Sequence, residues 1–228
     1  MSVLELHDLT KVYRKGESEV RALDGVSLRV DAGEFLAVVG PSGSGKTTLL
    51  NIIGCLDAPS SGRVVYGGAD LGAASQKELS AYRKDRISFI FQSYNLIPVL
   101  TVAENVELPL VIEKRHGKSA MRAKALEMLA AVGLQGMENR FPRELSGGQE
   151  QRVAIARALV KEPSVVLADE PTANLDSHTA EETVELMRRI NAERGTTFVF
   201  STHDRMVMEK AGRVVTVRDG RIVSDEKR

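Results

Sequence analysis

The 228-residue chain has a single cysteine, no excess of either charge and no long apolar run. One cysteine, Cys55, excludes an internal disulfide. It is expected to pack as a small hydrophobe just after the first helix, in a reducing compartment. Lys plus Arg number 31 and so do Asp plus Glu. That balance argues against a nucleic-acid binder working through a broad basic surface, and no nucleic-acid partner is expected. No stretch approaches the roughly 20 apolar residues that span a bilayer. Met1-Ser-Val-Leu-Glu5 lacks the basic-then-apolar pattern of a signal peptide. The chain is therefore expected to be soluble, or bound to a membrane only through a partner. There is no internal repeat and no low-complexity tract. The 43% hydrophobic content is ample for a core, and the length suits one large α/β domain or a domain with a lobe.

What is present begins with Gly40-Pro41-Ser42-Gly43-Ser44-Gly45-Lys46-Thr47, which matches the phosphate-loop pattern G-x-x-x-x-G-K-[ST]. Glu34 to Val39 before it is an apolar run, as in a parallel strand buried on both faces. Thr48 to Ile53 after it reads as a helix. Glycines let backbone N–H groups converge on phosphate oxygens, and the helix N-terminus adds partial positive charge. Lys46 is placed to reach the β- and γ-phosphates, and the Thr47 hydroxyl to ligate Mg²⁺.

Residues 3–9 alternate, with Leu4 and Leu6 on one side, and read as a half-exposed antiparallel strand. Arg21 to Val30 repeats the style, with a turn at Arg14–Ser18 between them. Tyr13 ends the first strand; it either stacks on a purine or is an ordinary strand aromatic. Ile87–Phe91 is a strand ending in Gln92. Asn95–Leu100 is apolar with a proline, followed by a short helix near Thr101. This loop either packs internally or forms a docking surface. Lys118–Val132 carries Met121, Ala125, Met128, Leu129 and Val132 at helical spacing, with Gly133 as the stop. Residues 93–141 thus read as a mostly helical lobe inserted in an α/β core.

The core resumes with helices at Gly147–Val160 and His178–Arg194 and buried strands at Ser164–Asp169 and Thr197–Ser201. Strands alternating with helices predict a parallel, doubly wound sheet. Arg213–Val223 is a hairpin with an Asp-Gly turn, and Asp225–Arg228 a frayed tail.

Two constellations fall at the carboxyl edge of that sheet, where ligands of open parallel sheets sit, and a third opens a helix. Asp169 and Glu170 end a strand: one acid to hold Mg²⁺, the next to polarise water for attack on the γ-phosphate. His203 follows the next strand and reaches the same phosphate or the attacking water. Leu145-Ser146-Gly147-Gly148-Gln149 opens a helix with Ser146 as N-cap, a second anion site. One ATP has little use for two such sites, whereas two chains head to tail would share them.

On these motifs the chain resembles the ATPase subunit of ATP-binding cassette (ABC) transporters, from Val3 to about Val223. Gly40–Thr47 is similar to Walker A, Val165–Asp169 to Walker B with Glu170 as the catalytic glutamate, and Leu145–Gln149 to the signature motif. Gln92 falls at the Q-loop, Asn174-Leu175-Asp176 at the D-loop, His203 at the switch histidine, and Tyr13 at the adenine-stacking aromatic. The resemblance implies an α/β phosphate-loop fold of ABC type. It divides into an antiparallel β subdomain (about 1–33 and 60–76), a helical subdomain (about 93–160) and a nucleotide core. It also implies ATP and Mg²⁺ as ligands. Lys46, Gln92, Glu170 and His203 are then catalytic. Tyr13, Gly40–Thr48 and Ser146–Gln149 bind nucleotide, and Thr47, Gln92 and Asp169 hold the metal. Expected partners are a second copy in an ATP-dependent homodimer and a separately encoded transmembrane permease docking near Gln92–Glu107, at the cytoplasmic face of the inner membrane. Phe91–Pro98 and Ala103–Leu110 are similar to the lipoprotein-releasing and macrolide-export subgroup. Glu150 and Ala173 depart from that subgroup's usual Gln and Gly. Other readings are an ABC ATPase that signals to an extracytoplasmic partner without transport, a soluble ABC ATPase acting on DNA or ribosomes, and a phosphate-loop kinase. The missing insertions and the signature weigh against the last two.

Overall fold

The computed structural model describes residues 1–16, 18–72 and 74–228. Glu17, within the expected turn at Arg14–Ser18, and Ala73, within 60–76, lie outside the described residues. Six strands form the central sheet, in the order β10-β9-β3-β8-β7-β6. They are β3 (Phe35–Val39), β6 (Ile87–Ile90), β7 (Val165–Asp169), β8 (Thr197–Thr202), β9 (Arg213–Arg218) and β10 (Arg221–Lys227). The first five run parallel, and β10 folds back antiparallel on β9. The hairpin turn puts both Asp219 (φ 49) and Gly220 (φ 75) in the left-handed region, as a type I′ turn requires.

The pleat sends alternate residues of each strand to opposite faces. Phe35, Ala37, Val166, Ala168, Phe198 and Phe200 enter one core, and Leu36, Val38, Val165, Leu167 and Val199 the other. Both faces are covered, so these strands carry continuous apolar runs. The first core is closed by α3 (Val102–Glu113), α4 (Lys118–Ala131), α5 (Gly147–Leu159), α6 (Ser177–Arg194) and α7 (Arg205–Lys210). The second is closed by α1 (Lys46–Ile53), α2 (Gln76–Arg86) and a four-stranded antiparallel sheet ordered β2-β1-β4-β5. Those strands are β1 (Ser2–Lys15), β2 (Ser18–Asp31), β4 (Ser61–Tyr66) and β5 (Ala69–Asp70).

Several expectations are corrected. β1 does not end at Tyr13 but runs on to Lys15, so Tyr13 lies inside it. Asp8 is left-handed (φ 48) and the pairing with β2 shifts between Leu6 and Leu9. That bulge re-phases the strand so that Leu4, Leu6 and Leu9 are all buried, which breaks the alternation a sequence reading follows. β6 ends at Ile90, leaving Gln92 in the following turn. The helix after Thr101 is not short: α3 runs through Pro109 to a left-handed cap at Lys114. Its buried face of Val102, Ala103, Val106 and Leu110 outweighs the proline's cost of about 3 kcal/mol. The tail is not frayed. Arg213 donates from Nε and Nη2 to the two Asp225 carboxylate oxygens at 2.6 Å each, and Arg228 N donates to Gly212 O at 2.9 Å. The nearly buried Arg213 guanidinium needs that carboxylate, and the pairing holds β10 as a strand to Lys227.

The loop before α3 packs internally in part. Leu96 packs on the first core, while Val99 is 78% exposed.

Candidate nucleotide site

The phosphate loop leaves β3 and ends at Gly45, the left-handed cap of α1 (φ 106). It is pressed against its neighbours. A Cβ on Gly40 would lie 2.0 Å from the Val217 carbonyl oxygen, and one on Gly45 2.4 Å from that of Ala22. Larger residues there would push the loop off β9 and β2. Lys46 is buried, and its Nζ donates to Gly40 O at 2.8 Å and Pro41 O at 3.0 Å. The ammonium therefore sits over the loop mouth. The buried Ser44 hydroxyl has no hydrogen-bond partner among the described residues. Thr47 is exposed in the first turn of α1, beside the partly buried Thr48.

Parallel pairing of Val39 with Thr202 and of Asp169 with Ser201 brings three strand ends level. A cleft of 890 Å³ opens there, lined by Gly40–Thr48 and by Gln92, Asp169, Glu170 and His203. Asp169 is half-buried, and burial pushes its carboxyl above the ordinary carboxylate value. Glu170 is left-handed (φ 46), a conformation that non-glycine residues hold only where surroundings enforce it. Its N–H donates to Ser201 O at 2.9 Å. The Thr202 hydroxyl donates to Glu170 Oε2 at 3.3 Å, and His203 Nδ1 lies 2.8 Å from Oε1. A carboxylate, an imidazole and a hydroxyl thus share one hydrogen-bonded group beside the loop. Gln92 is exposed, and its carbonyl accepts from Asn174 Nδ2 at 2.9 Å. Thr202 and Asn174 carry no local sequence signal for these contacts; only the register between strands reveals them.

Two groups of expected site residues stand outside the cleft. Tyr13 is 41% exposed; its hydroxyl donates to Asp57 Oδ2 at 2.9 Å, and Lys11 Nζ lies 4.9 Å from its ring centroid. Ser146–Gln149 do not line the cleft of their own chain. Ser146 caps α5 in a reciprocal box. Gln149 N donates to its hydroxyl at 3.4 Å and Ser146 N donates to Gln149 Oε1 at 3.0 Å. Ser146 and Gly147 are exposed. Gly148 has a packing reason of its own: a Cβ there would stand 2.4 Å from the Thr179 methyl on α6. Thr179 in turn donates to Asp176 Oδ2 at 2.6 Å, and Asp176 caps α6. Of the two departures, Glu150 sits in the first turn of α5 with its carboxyl raised by burial. Ala173 lines the cleft.

The cleft fits a nucleoside triphosphate. A lysine whose donors now fall on loop carbonyls, an unpartnered buried hydroxyl and a helix N-terminus make a site for polyanionic oxygen. This is the layout of a phosphate-loop ATPase. Residues 23–173 match the ABC transporter family. The chain is 47% identical over 221 residues to the lipoprotein-releasing system ATP-binding protein LolD 1 of Rhodopseudomonas palustris, covering 96% of this chain and 98% of that one. It is 47% identical over 223 residues to the macrolide export ATP-binding/permease protein MacB of Hyphomonas neptunium, covering 98% of this chain but 34% of the relative. The chain thus spans about a third of that larger relative. A solved dimeric, post-hydrolysis structure of the ATP-binding cassette MJ0796 bound to ADP and Pi superposes with a TM-score of 0.89 at 45% identity, covering 98% of each chain. That cassette comes from Methanocaldococcus jannaschii. The chain belongs to the ABC transporter family as an ATP-binding, ATP-hydrolysing component, similar to the ATP-binding proteins of lipoprotein-releasing and macrolide-export systems.

Proposed function

We propose that this ATPase powers a membrane transporter by closing two chains head to tail over two ATP molecules. The observation that carries this is the separation of two phosphate-binding helix starts. The Gly40–Thr48 loop lines the cleft, while Ser146–Gln149 lies outside it, with Ser146 and Gly147 exposed to solvent. Each cleft is completed by the second chain's Ser146, Gly147, Gly148 and Gln149.

Within the cleft the loop amides and Lys46 hold the β- and γ-phosphates, and Tyr13 takes the adenine on its exposed ring. The Thr47 hydroxyl, the Gln92 amide oxygen and Asp169 form an oxygen donor set suited to Mg²⁺. Mg²⁺, when bound, neutralises charge developing on the phosphate oxygens. No group of three His, Cys, Asp or Glu side chains among the described residues could hold a metal. Glu170 accepts a proton from the attacking water, and His203 and Thr202 fix that carboxylate's orientation.

The chain attaches to the cytoplasmic face of the inner membrane through a permease. No helix among the described residues is long and apolar enough to cross a membrane. Docking near Gln92–Glu107 is supported by exposed Val99 and by an adjoining groove of 630 Å³ between α2 and α3, with Leu108, Pro109 and Ile112 in its wall. The subdomain division that goes with this reading is about 1–33 and 60–76, about 93–160, and the remainder. Ser146→Arg tests the shared site. It is expected to leave ATP binding in the cleft intact while abolishing ATP-driven dimerisation and turnover; a variant that still dimerises and turns over refutes the reading.

A further inference from the structure

The segment after Gln92 is fixed to the fold mainly through its backbone. Tyr94 and Asn95 are both left-handed (φ 58 and 51). In such a pair successive carbonyls point the same way, and one guanidinium takes both. Arg157 Nη2 donates to Tyr94 O at 2.5 Å and Nη1 to Asn95 O at 2.6 Å. Arg157 lies in the last turn of α5. The loop also touches the other end of that helix, since a Cβ on Gly147 would stand 3.4 Å from the Tyr94 hydroxyl. Further along, fully buried Asn105 accepts from Ile97 N at 2.8 Å and donates to Ile97 O and Leu100 O at 3.1 Å each. Behind it, Asn174 holds the Gln92 carbonyl. From Gln92 to Leu100 the chain is a strap with three anchors, and the one on α5 is a single side chain.

We propose that Arg157 is a positioning residue for ATP hydrolysis. By holding the Tyr94 and Asn95 carbonyls it joins the strap to α5, so that Gln92 in one cleft and the Ser146–Gly148 start that closes the other cleft move as one body. The guanidinium geometry suits the task, because two N–H groups diverge in a plane toward two acceptors. Arg157 lines no part of its own cleft. Its loss acts on closure and leaves single-chain nucleotide binding alone. The inference rests on the shared-site reading above.

The test uses the full chain carrying Glu170→Gln, alone and combined with Arg157→Met or Arg157→Lys. Three quantities are read: affinity for a fluorescent ATP analogue at protein concentrations too low for pairing, the ATP-driven dimerisation constant by light scattering, and melting temperature. Analogue affinity is expected to stay within about twofold, while Arg157→Met weakens dimerisation by about tenfold or more, as loss of two charge-assisted hydrogen bonds implies. Arg157→Lys, which reaches one carbonyl, falls between. A lower melting temperature with an unchanged dimerisation constant marks a merely structural residue and overturns the inference. If Arg157→Met does not fold, Arg157→Lys decides by the same comparison. If the Glu170→Gln parent does not pair with ATP, the shared-site reading fails and takes the inference with it. A parent that pairs beside a variant that pairs equally well refutes the role of Arg157 alone.

Discussion

Gly148→Ala separates two reasons for a glycine at the start of α5. If Gly148 serves only the approach of a phosphate from a second chain, alanine leaves the isolated chain's stability unchanged or slightly raised. The structure points to packing. The added Cβ would meet the Thr179 methyl at 2.4 Å, well inside van der Waals contact. Overpacking of this kind costs about 1–3 kcal/mol, from which alanine's better helix propensity returns up to about 1 kcal/mol. The expected net loss is about 0–3 kcal/mol, which for a chain of this size lowers the melting temperature by up to roughly 12 °C. Thr179→Ser supplies the control. It removes the offending methyl and keeps the hydroxyl that donates to Asp176. In a double-mutant cycle followed by urea unfolding without nucleotide, Gly148→Ala should cost little on the Thr179→Ser background, a coupling of about 1 kcal/mol or more. Coupling below about 0.3 kcal/mol, within ordinary additivity, would refute the packing argument.

The remaining predictions are briefer. Asp225→Ala removes the carboxylate from Arg213 and should cost about 1–3 kcal/mol at neutral pH. Arg213 holds the Asp225 carboxyl below the usual carboxylate value, so its stabilisation is present above that value and fades as pH falls through the lowered one; the wild-type advantage in a pH series of melts should shrink in acid. Asp169 has the opposite sign. Burial raises its carboxyl, so a stability cost appears as pH rises past the ordinary value and is complete above the raised one. Asp169→Asn should therefore melt higher than wild type at pH 7 without nucleotide, yet lose Mg²⁺-dependent turnover. Cys55 is 1% exposed and burial pushes its thiol up to about 11; a thiol reagent at pH 8 should leave it untouched in the folded chain and label it in urea.

The phosphate loop was legible because its residues act locally: a buried strand, three glycines and a helix follow one another without help from distant chain. The acids and His203 were legible one step removed, since parallel strands must bring their carboxyl ends to one edge. What was not legible depends on contacts far apart in sequence. The bulge at Asp8 breaks the alternation of β1. Pro109 concealed most of α3, whose buried face outweighs it. The frayed tail was wrong because Asp225 answers Arg213 across the hairpin. α2 carries little apolar periodicity because only Leu79 of it is buried, although its capping box, Ser75 with Glu78, stands in the sequence as a helix-start signal. Arg157 gave no signal, because it binds carbonyls some sixty residues away.

The central claim is that ATP closes two chains over shared sites and that Glu170 ends the closed state by activating water. The most direct measurement is the mass of Glu170→Gln in solution, by light scattering, with and without ATP. The account predicts one chain without nucleotide and two with it, held together because hydrolysis is blocked. A protein that binds ATP and stays a single chain would contradict it.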